Sequence, residues 1–184
     1  MTAAVISEYG ELDATALADL MRRGEVSSLE LLDGGIRRLE QVNGRLNAVT
    51  YKMYDYARAS AAKRNGSGRF AGVPFLMKDF AAKMAGFAFR GGSRFLQHNL
   101  PEQDSEIVRR FAAAGLITFG KTNLPEFAIG VTTEPQWMGA THNLRDLTST
   151  PGRSSSGSAA RDMRWLGTFG GVYLIQSIEE PTKV

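Results

Sequence analysis

The sequence predicts an α/β fold, and three neighbouring segments carry that prediction. Residues 71–77 form a short apolar run typical of a buried strand, and residues 116–119 form another. Between them, residues 104–114 show helical spacing, and Gly115 ends this helix. The helix positions expected to face inward are Ile107, Val108 and Phe111. A helix between two such strands, with short connections, predicts a crossover unit in an α/β sheet.

Two helices are predicted near the start of the chain. Asp13 is placed to cap the first one, and Gly24 is placed to end it. Ser27 and Glu30 have the spacing of a capping box, in which each side chain accepts from the other residue's backbone N–H. Apolar residues at helical spacing then extend the second helix to about Asn43.

The remaining segments follow from composition and spacing. Residues 46–51 are compatible with a short strand, and residues 54–64 with a third helix. The Asn-Gly-Ser-Gly sequence at 65–68 breaks that helix. Residues 132–158 are rich in Thr, Ser, Gly, Pro and Asn, which is typical of a loop.

Composition excludes several classes of protein. At 184 residues, with 43% hydrophobic and 22% charged residues, the chain has the profile of one globular domain. The absence of cysteine excludes disulfides and Cys-based zinc sites, and it fits a cytoplasmic location. No segment is typical of a signal peptide or a membrane span, so no membrane partner is expected.

The charge pattern gives no indication of a nucleic-acid partner. The formal net charge is only +3, and the basic residues are scattered in pairs that have acidic neighbours. These pairs are Arg22-Arg23, Arg37-Arg38 and Arg109-Arg110. A nucleic-acid surface more often has a concentrated basic face with interleaved aromatic residues. Solvated helix faces are the better interpretation.

Two features have the residue types of a catalytic site. Lys78 ends an apolar strand, where partial desolvation would lower its pKa and allow it to act as a general base. A lone lysine at a strand end more often lies in solvent. Residues 151–158 place several serines among glycines, which suits a nucleophile, a proton relay or an anion nest. Alone, this segment is more often a flexible linker.

A third feature matches a phosphate-binding motif but lies in the wrong context. Residues 115–122 satisfy the pattern G-x-x-x-x-G-K-T in full. In that motif the loop follows a strand, whereas here the apolar strand 116–119 lies inside the pattern. Pro125 also stands where a helix would have to continue. Nucleotide binding is therefore a distant alternative.

The order of several segments resembles the amidase-signature family. Residues 72–79 read G-V-P-F-L-M-K-D, similar to the family's G-V-P-x-x-x-K-D segment. Residues 114–127 read A-G-L-I-T-F-G-K-T-N-L-P-E-F, another segment of the family, which accounts for the apparent phosphate motif. The further segments in the family's order are 91–93, 104–105, 133–135 and 151–160. The resemblance covers roughly residues 10–160 and implies a mixed central sheet covered by helices.

The resemblance implies amide hydrolysis by a Ser–Ser–Lys triad without a metal or an organic cofactor. Lys78 matches the triad lysine, and Ser154 matches the serine that bridges it to the nucleophile. Ala128 matches a position whose backbone lines the substrate site. The expected partner is a small-molecule amide, which acylates the nucleophilic serine before water releases the acid.

Two departures from the family pattern affect these expectations. Arg153 and Ser156 replace two glycines of P-G-G-S-S-G-G-S, so a strained or rearranged site is expected. Beyond residue 160 the pattern stops, and Ser177 follows Ile-Gln where the family's nucleophile follows glycines. No nucleophile is therefore assigned.

The expected organisation is a truncated amidase-signature domain and a divergent tail. The domain comprises residues 1–160, with N-terminal helices in 10–65 and the sheet and triad segment in 70–160. Residues 161–184 form the tail, for which a frameshift or an internal deletion would account. The incomplete chain is expected to be inactive. The alternatives are a fragment like the A subunit of the tRNA-dependent amidotransferase, with partner subunits and tRNA, and a non-catalytic remnant.

Overall fold

The structure is a computed structural model that describes residues 12–63, 68–143 and 146–151. These residues form three β-strands, four α-helices and two single 3₁₀ turns. In chain order the elements are α1 (Ala14–Arg22), α2 (Ser28–Leu46), β1 (Val49–Lys52), α3 (Tyr54–Ala62), β2 (Pro74–Lys78), the turn Arg94–Leu96, α4 (Glu106–Ala113), β3 (Ile117–Thr122) and the turn Glu126–Ala128.

The three strands form one mixed sheet in the order β1-β3-β2. β2 and β3 are parallel, with Pro74 opposite Ile117 and Lys78 opposite Thr122. β1 runs antiparallel to β3 on its other side. Helix α4 lies in the connection between the two parallel strands, which confirms the predicted crossover unit and the α/β class.

The caps of the first two helices confirm the sequence prediction. The Asp13 carboxylate accepts the N–H of Ala16 at 2.8 Å and so satisfies a free donor of α1. At α2, the Ser27 hydroxyl accepts the N–H of Glu30, and the Glu30 carboxylate accepts the N–H of Ser27 at 2.9 Å. Both helices therefore begin where the capping residues indicate.

The end of α2 differs from the sequence prediction. The helix continues past Asn43 to Leu46 and ends at Asn47, which is in the left-handed region with φ 50°. Asn43 lies inside the helix, and its side chain turns toward β1. Its amide oxygen accepts the N–H groups of Ala48 and Val49 at 3.0 Å and 2.9 Å. A side chain of the last turns of α2 thus fixes the start of the next strand.

The core lies between the sheet and the helices. All five residues of β2 and all six of β3 are buried. Leu32 and Leu39 of α2 have no exposed surface, as is true of Phe119 of β3. Among the described residues, no helix has the length and apolar character needed to cross a membrane.

Helix α4 corrects one expectation about the core. Val108 is buried at 5% exposure, and the half-buried Phe111 ring packs 4.8 Å from the Phe75 ring. Ile107, which was expected to face inward, is 40% exposed. Neighbouring helix residues point about 100° apart, so a single stripe that holds Val108 and Phe111 turns Ile107 outward.

Gly115 joins α4 to β3 at a very close backbone contact. It has φ +88°, and a Cβ atom built there would lie 2.5 Å from the Cα atom of Ala71. Its carbonyl oxygen accepts the N–H of Gly72 at 2.9 Å, which links this corner to the start of β2. The position therefore needs a glycine both for conformation and for space.

We expect Gly115→Ala to lower the free energy of unfolding by about 3 kcal/mol, because left-handed strain and a backbone clash combine. Gly24→Ala is the matched control. Gly24 has φ +73°, but a Cβ atom there would meet nothing within 4 Å. Its cost should stay near about 1 kcal/mol. Urea unfolding of both variants measures the difference, and equal losses would contradict the contact at Ala71.

Candidate active site

Lys78 occupies the carboxyl end of β2. It is the last residue of the strand, and it is 6% exposed, so the predicted partial desolvation is confirmed. Burial lowers the pKa of the Lys78 ammonium group, since a charged amine is poorly solvated there. Ligands of open α/β sheets bind outside the carboxyl ends of parallel strands, and β3 ends beside β2 at the same edge. The position suits a general base.

The opposite face of the same sheet edge holds a buried ion pair. Lys121 and Asp79 have no exposed surface, and the Lys121 Nζ lies 3.5 Å from the Asp79 Oδ1. Because side chains alternate along a strand, Lys121 and Asp79 point away from the face of Lys78. Sequence reasoning missed this pair. Its only sequence signal was a lysine two residues beyond the apolar run 116–119, since a lysine that is buried is rarely left unpaired.

The ion pair attaches the segment after β2 to the sheet. Lys121 Nζ donates a hydrogen bond to the carbonyl oxygen of Ala88 at 2.6 Å. The Asp79 carboxylate accepts the N–H of Arg90, with both oxygens at 3.3 Å, and its carbonyl oxygen accepts the N–H of Gly91 at 3.2 Å. Residues 88–91 are therefore held over the strand ends by both partners of the pair.

Burial and charge act against each other on this pair. Burial raises the pKa of Asp79 to about 6, and the nearby Lys121 and Arg90 charges only partly offset that effect. Burial also lowers the pKa of Lys121, against the attraction of Asp79. With a pKa of about 6, the Asp79 carboxylate is mostly ionised at neutral pH.

The ion pair also bears on the apparent phosphate-binding motif. Gly120, Lys121 and Thr122 lie inside β3 and not in a loop. The motif's lysine is fully buried and bonded to Asp79 and Ala88. This arrangement confirms the prediction that the motif is not a phosphate loop, because a phosphate-binding lysine must reach a ligand.

Arg90 connects this region to β1 and to the segment beyond β3. Its guanidinium carbon lies 4.2 Å from the Tyr51 ring centroid and 5.5 Å from that of Trp137. Stacking on two aromatic rings stabilises a cation where it is partly desolvated. The aromatic contacts therefore hold Arg90 in place while its backbone N–H reaches Asp79.

Ala128 lies on a strained turn built against residues 91–93. Phe127 and Ala128 both have left-handed backbones, with φ 52° and 59°. The Phe127 N–H donates to the Gly91 carbonyl oxygen at 2.7 Å, and the Ser93 hydroxyl donates to the Glu126 carboxylate. Consecutive left-handed residues other than glycine are costly and cluster at functional sites. Ala128 is half-exposed, which is compatible with a place beside a substrate.

Asn123 fixes the path of the chain after β3. Its side-chain amide donates to the Gly139 carbonyl oxygen at 3.0 Å and to the Thr141 hydroxyl at 2.9 Å. The Asn47 amide donates to the Met138 carbonyl oxygen at 2.7 Å. The contacts of these two asparagines thus tie part of the predicted loop 132–158 to the end of the sheet. Sequence reasoning missed both residues, because a single asparagine gives no signal of a distant partner.

Several predicted features lie outside the described residues. They include Arg153 and Ser154, the domain end at 160 and the tail 161–184. The assignment of Ser154 as the bridging serine therefore stays a prediction, as does a rearrangement at Arg153. Within residues 12–63, 68–143 and 146–151, no three His, Asp or Glu side chains are grouped so that they could hold a metal ion.

Comparison with known proteins identifies the family. A sequence model of the family Amidase matches residues 30–161. The 6-aminohexanoate-cyclic-dimer hydrolase of Paenarthrobacter ureafaciens is 40% identical over 150 residues, which are 80% of this chain and 30% of that protein. The A subunit of the glutamyl-tRNA(Gln) amidotransferase of Salinispora arenicola is 41% identical over 162 residues, 84% of this chain and 33% of that protein.

Solved structures agree with the sequence matches. A 6-aminohexanoate cyclic dimer hydrolase complexed with substrate aligns with a TM-score of 0.79 at 38% identity, over 85% of this chain and 33% of that one. Fatty acid amide hydrolase, at 22% identity and a TM-score of 0.80, shows the same fold over 86% of this chain and 29% of that one. The fold and these matches define an α/β amidase-type domain. The chain belongs to the amidase-signature family and spans about a third of the length of these curated relatives.

We expect Lys121→Met alone to destabilise the protein by about 3–5 kcal/mol, because it leaves the Asp79 carboxylate buried without its partner. Asp79→Asn alone should have a similar cost, and the double variant should lose less than the sum. The exposed pair of Arg58 and Asp33, at 3.0 Å, is the control. Breaking it with Asp33→Asn should cost about 1 kcal/mol or less. Urea unfolding gives all four values, and additive single losses would contradict the pairing.

The ion pair should also make stability depend on pH. The folded-state pKa of Asp79 is raised to about 6 from 3.8, so the folded protein binds this proton more tightly than the unfolded chain. This contribution to stability is present below pH 3.8 and is lost as the pH rises through 6. Relative to Asp79→Asn/Lys121→Met, the wild type should lose unfolding free energy between about pH 4 and 7. A relative gain over that range in urea unfolding would show the shift to have the opposite sign.

Proposed function

We propose that this chain carries the lysine part of an amide-hydrolysing site that works through an acyl-enzyme. The observation that supports the proposal most directly is Lys78, buried at the carboxyl end of β2 with a lowered pKa. A neutral amine is the form that can accept a proton. A desolvated lysine is a recurrent way to obtain it near neutral pH.

The proposed reaction begins with a proton relay. The nucleophilic serine gives its proton to the Ser154 hydroxyl as its oxygen attacks the amide carbonyl carbon. Ser154 passes its own proton to the Lys78 amine, which becomes an ammonium group. When the C–N bond breaks, the relay returns the proton to the leaving nitrogen, and the acyl group stays on the serine oxygen. Water then attacks the ester and releases the acid.

The remaining described residues would shape the substrate site. The backbone of Ala128, set on the strained turn above residues 91–93, is placed in this proposal along the bound amide. The relay uses only side-chain hydroxyls and an amine. No step in this proposal requires a metal or an organic cofactor.

The nucleophile is not assigned, and we propose that the 184-residue chain lacks turnover. Residues 161–184 contain Ser177, which is preceded by Ile175 and Gln176. Backbone N–H groups beside a nucleophile must approach the oxyanion closely, and glycines allow this approach. Ser177 is therefore not proposed as the nucleophile.

The substrate proposed first is a linear or cyclic carboxylic amide. The match with 6-aminohexanoate-cyclic-dimer hydrolase supports this choice, at 40% identity. A role as the A subunit of a tRNA-dependent amidotransferase is the second candidate, because the Salinispora arenicola protein is 41% identical. That alternative requires partner subunits and tRNA, so a glutamine-dependent transamidation assay with those components distinguishes it from amide hydrolysis by the protein alone.

We expect a chimera of residues 1–160 with the remainder of the Paenarthrobacter ureafaciens hydrolase to hydrolyse amides. In this chimera, Lys78→Ala should reduce kcat about 10³-fold. The loss follows because the relay then has no final proton acceptor. Lys83→Ala is the matched control, since Lys83 is exposed and should leave kcat unchanged. Hydrolysis of a cyclic and a linear amide is measured for each protein.

Two results would count against this proposal. Equal activity of the Lys78→Ala and Lys83→Ala chimeras would remove Lys78 from the mechanism. Turnover by the 184-residue chain alone, abolished by Lys78→Ala, would show that it contains a nucleophile, with Ser177→Ala as the next variant to measure.

A further inference from the structure

Thr122 has a buried hydroxyl group without a hydrogen-bond partner in the part of the chain that the structure describes. The residue is 1% exposed, and its Oγ1 atom is fully enclosed. Most buried hydroxyls in folded proteins are hydrogen-bonded, and one that is not is destabilising. Such an atom at the end of a strand, beside a candidate catalytic residue, needs an explanation.

The register of the sheet places Thr122 next to Lys78. The two residues are opposite each other on the parallel strands β2 and β3, at the last position of each. Opposite residues of neighbouring strands share a face, and the strands lie about 4.8 Å apart. On the other side, Thr122 is opposite Val49, which has no polar side chain. Of the two residues opposite Thr122, Lys78 is therefore the one with a polar side chain.

We propose, on the basis of the function given above, that Thr122 is a positioning residue for Lys78. Its hydroxyl oxygen accepts a hydrogen bond from the Lys78 ammonium group that forms when the relay delivers a proton. An amine that gains a proton gains an N–H donor, and a site that excludes water must supply an acceptor for it. Thr122 itself neither gains nor loses a proton.

The charges around Lys78 explain why a neutral acceptor suits this place. Asp79 and Lys121 are paired with each other on the opposite face of the sheet. The acidic residues of α2, which packs against β2, have partners elsewhere: Glu30 with Ser27, Asp33 with Arg58, and Glu40 with Lys52 and Tyr54. A carboxylate beside Lys78 would hold it as an ammonium ion. A hydroxyl stabilises the charged form without preventing its deprotonation.

The test is a titration of Lys78 in the full 184-residue chain. The pKa is followed by NMR of protein labelled with ¹³C,¹⁵N-lysine, and the Lys78 signal is assigned by its absence in Lys78→Arg. Thr122→Val keeps the shape of the side chain and removes the acceptor. We expect it to lower the Lys78 pKa by about one unit, because hydrogen bonds to charged groups are strong. Thr122→Ser should restore the wild-type value.

Thr50→Val is the matched control. Thr50 also has an enclosed hydroxyl without a hydrogen-bond partner among the described residues, but it lies in β1. That strand is two strand spacings, about 10 Å, from β2. Its substitution should leave the Lys78 pKa unchanged. The other lysine signals report whether each variant keeps the fold. If Thr122→Val does not fold, Thr122→Ser is the variant whose Lys78 pKa is measured.

The outcomes separate this inference from the proposed function. An unchanged Lys78 pKa in folded Thr122→Val overturns the inference, even if the chimera hydrolyses amides. If Thr122→Val does not fold, a shifted Lys78 pKa in Thr122→Ser overturns it. An equal shift in Thr50→Val overturns it as well. A shift in Thr122→Val that Thr122→Ser reverses supports the contact, and if the chimera is then inactive, the proposed hydrolysis fails independently.

Discussion

The buried Lys121–Asp79 ion pair connects most of the parts that surround the candidate site. It lies where the two parallel strands end, and each partner bonds to the backbone of the segment that follows β2. A buried pair of charges is weak evidence for stability by itself, because desolvation offsets the attraction. Its role here is to position the backbone, since Lys121 and Asp79 both hydrogen-bond to residues 88–91. Residues 91–93, which contact the turn at Ala128, follow directly from this segment.

The chain of contacts continues from this pair to the substrate side. Residues 91–93 lie against the backbone at Leu124 and Pro125, where a Cβ atom on Gly92 would come within 2.9 Å of both carbonyl oxygens. The strained Phe127 backbone is held by the Gly91 carbonyl. Backbone strain persists only where surrounding contacts determine the conformation. The ion pair and the close contact at Gly92 together hold the strained turn in its conformation.

The sequence predicted the elements better than it predicted their connections. Local signals, such as the Ser27 capping box and the apolar runs, depend on neighbouring residues and identified α2, β2 and β3. The end of α2 was expected at about Asn43, whereas the helix continues to Leu46. Ile107 was expected to face inward, but only one stripe of the short helix α4 packs against the core. Asn123 and Lys121 act through partners far along the chain, at Thr141 and Asp79. Single-sequence patterns contain no information on such pairs, whereas the local apolar run 71–77 correctly indicated that Lys78 ends a buried strand.

The end of the sheet is divided into two faces with different electrostatic requirements. On one face, the buried side chains of Lys121 and Asp79 pair with each other, and their hydrogen bonds hold residues 88–91 in position. On the other face, Lys78 must change its protonation state during the proposed reaction, so a fixed neighbouring charge would favour one state too strongly. The alternation of side chains along β2 and β3 keeps the two functions apart although Lys78 and Asp79 are consecutive residues. A structural charge and a catalytic amine can therefore share one strand end, provided that a neutral group such as the Thr122 hydroxyl accompanies the amine.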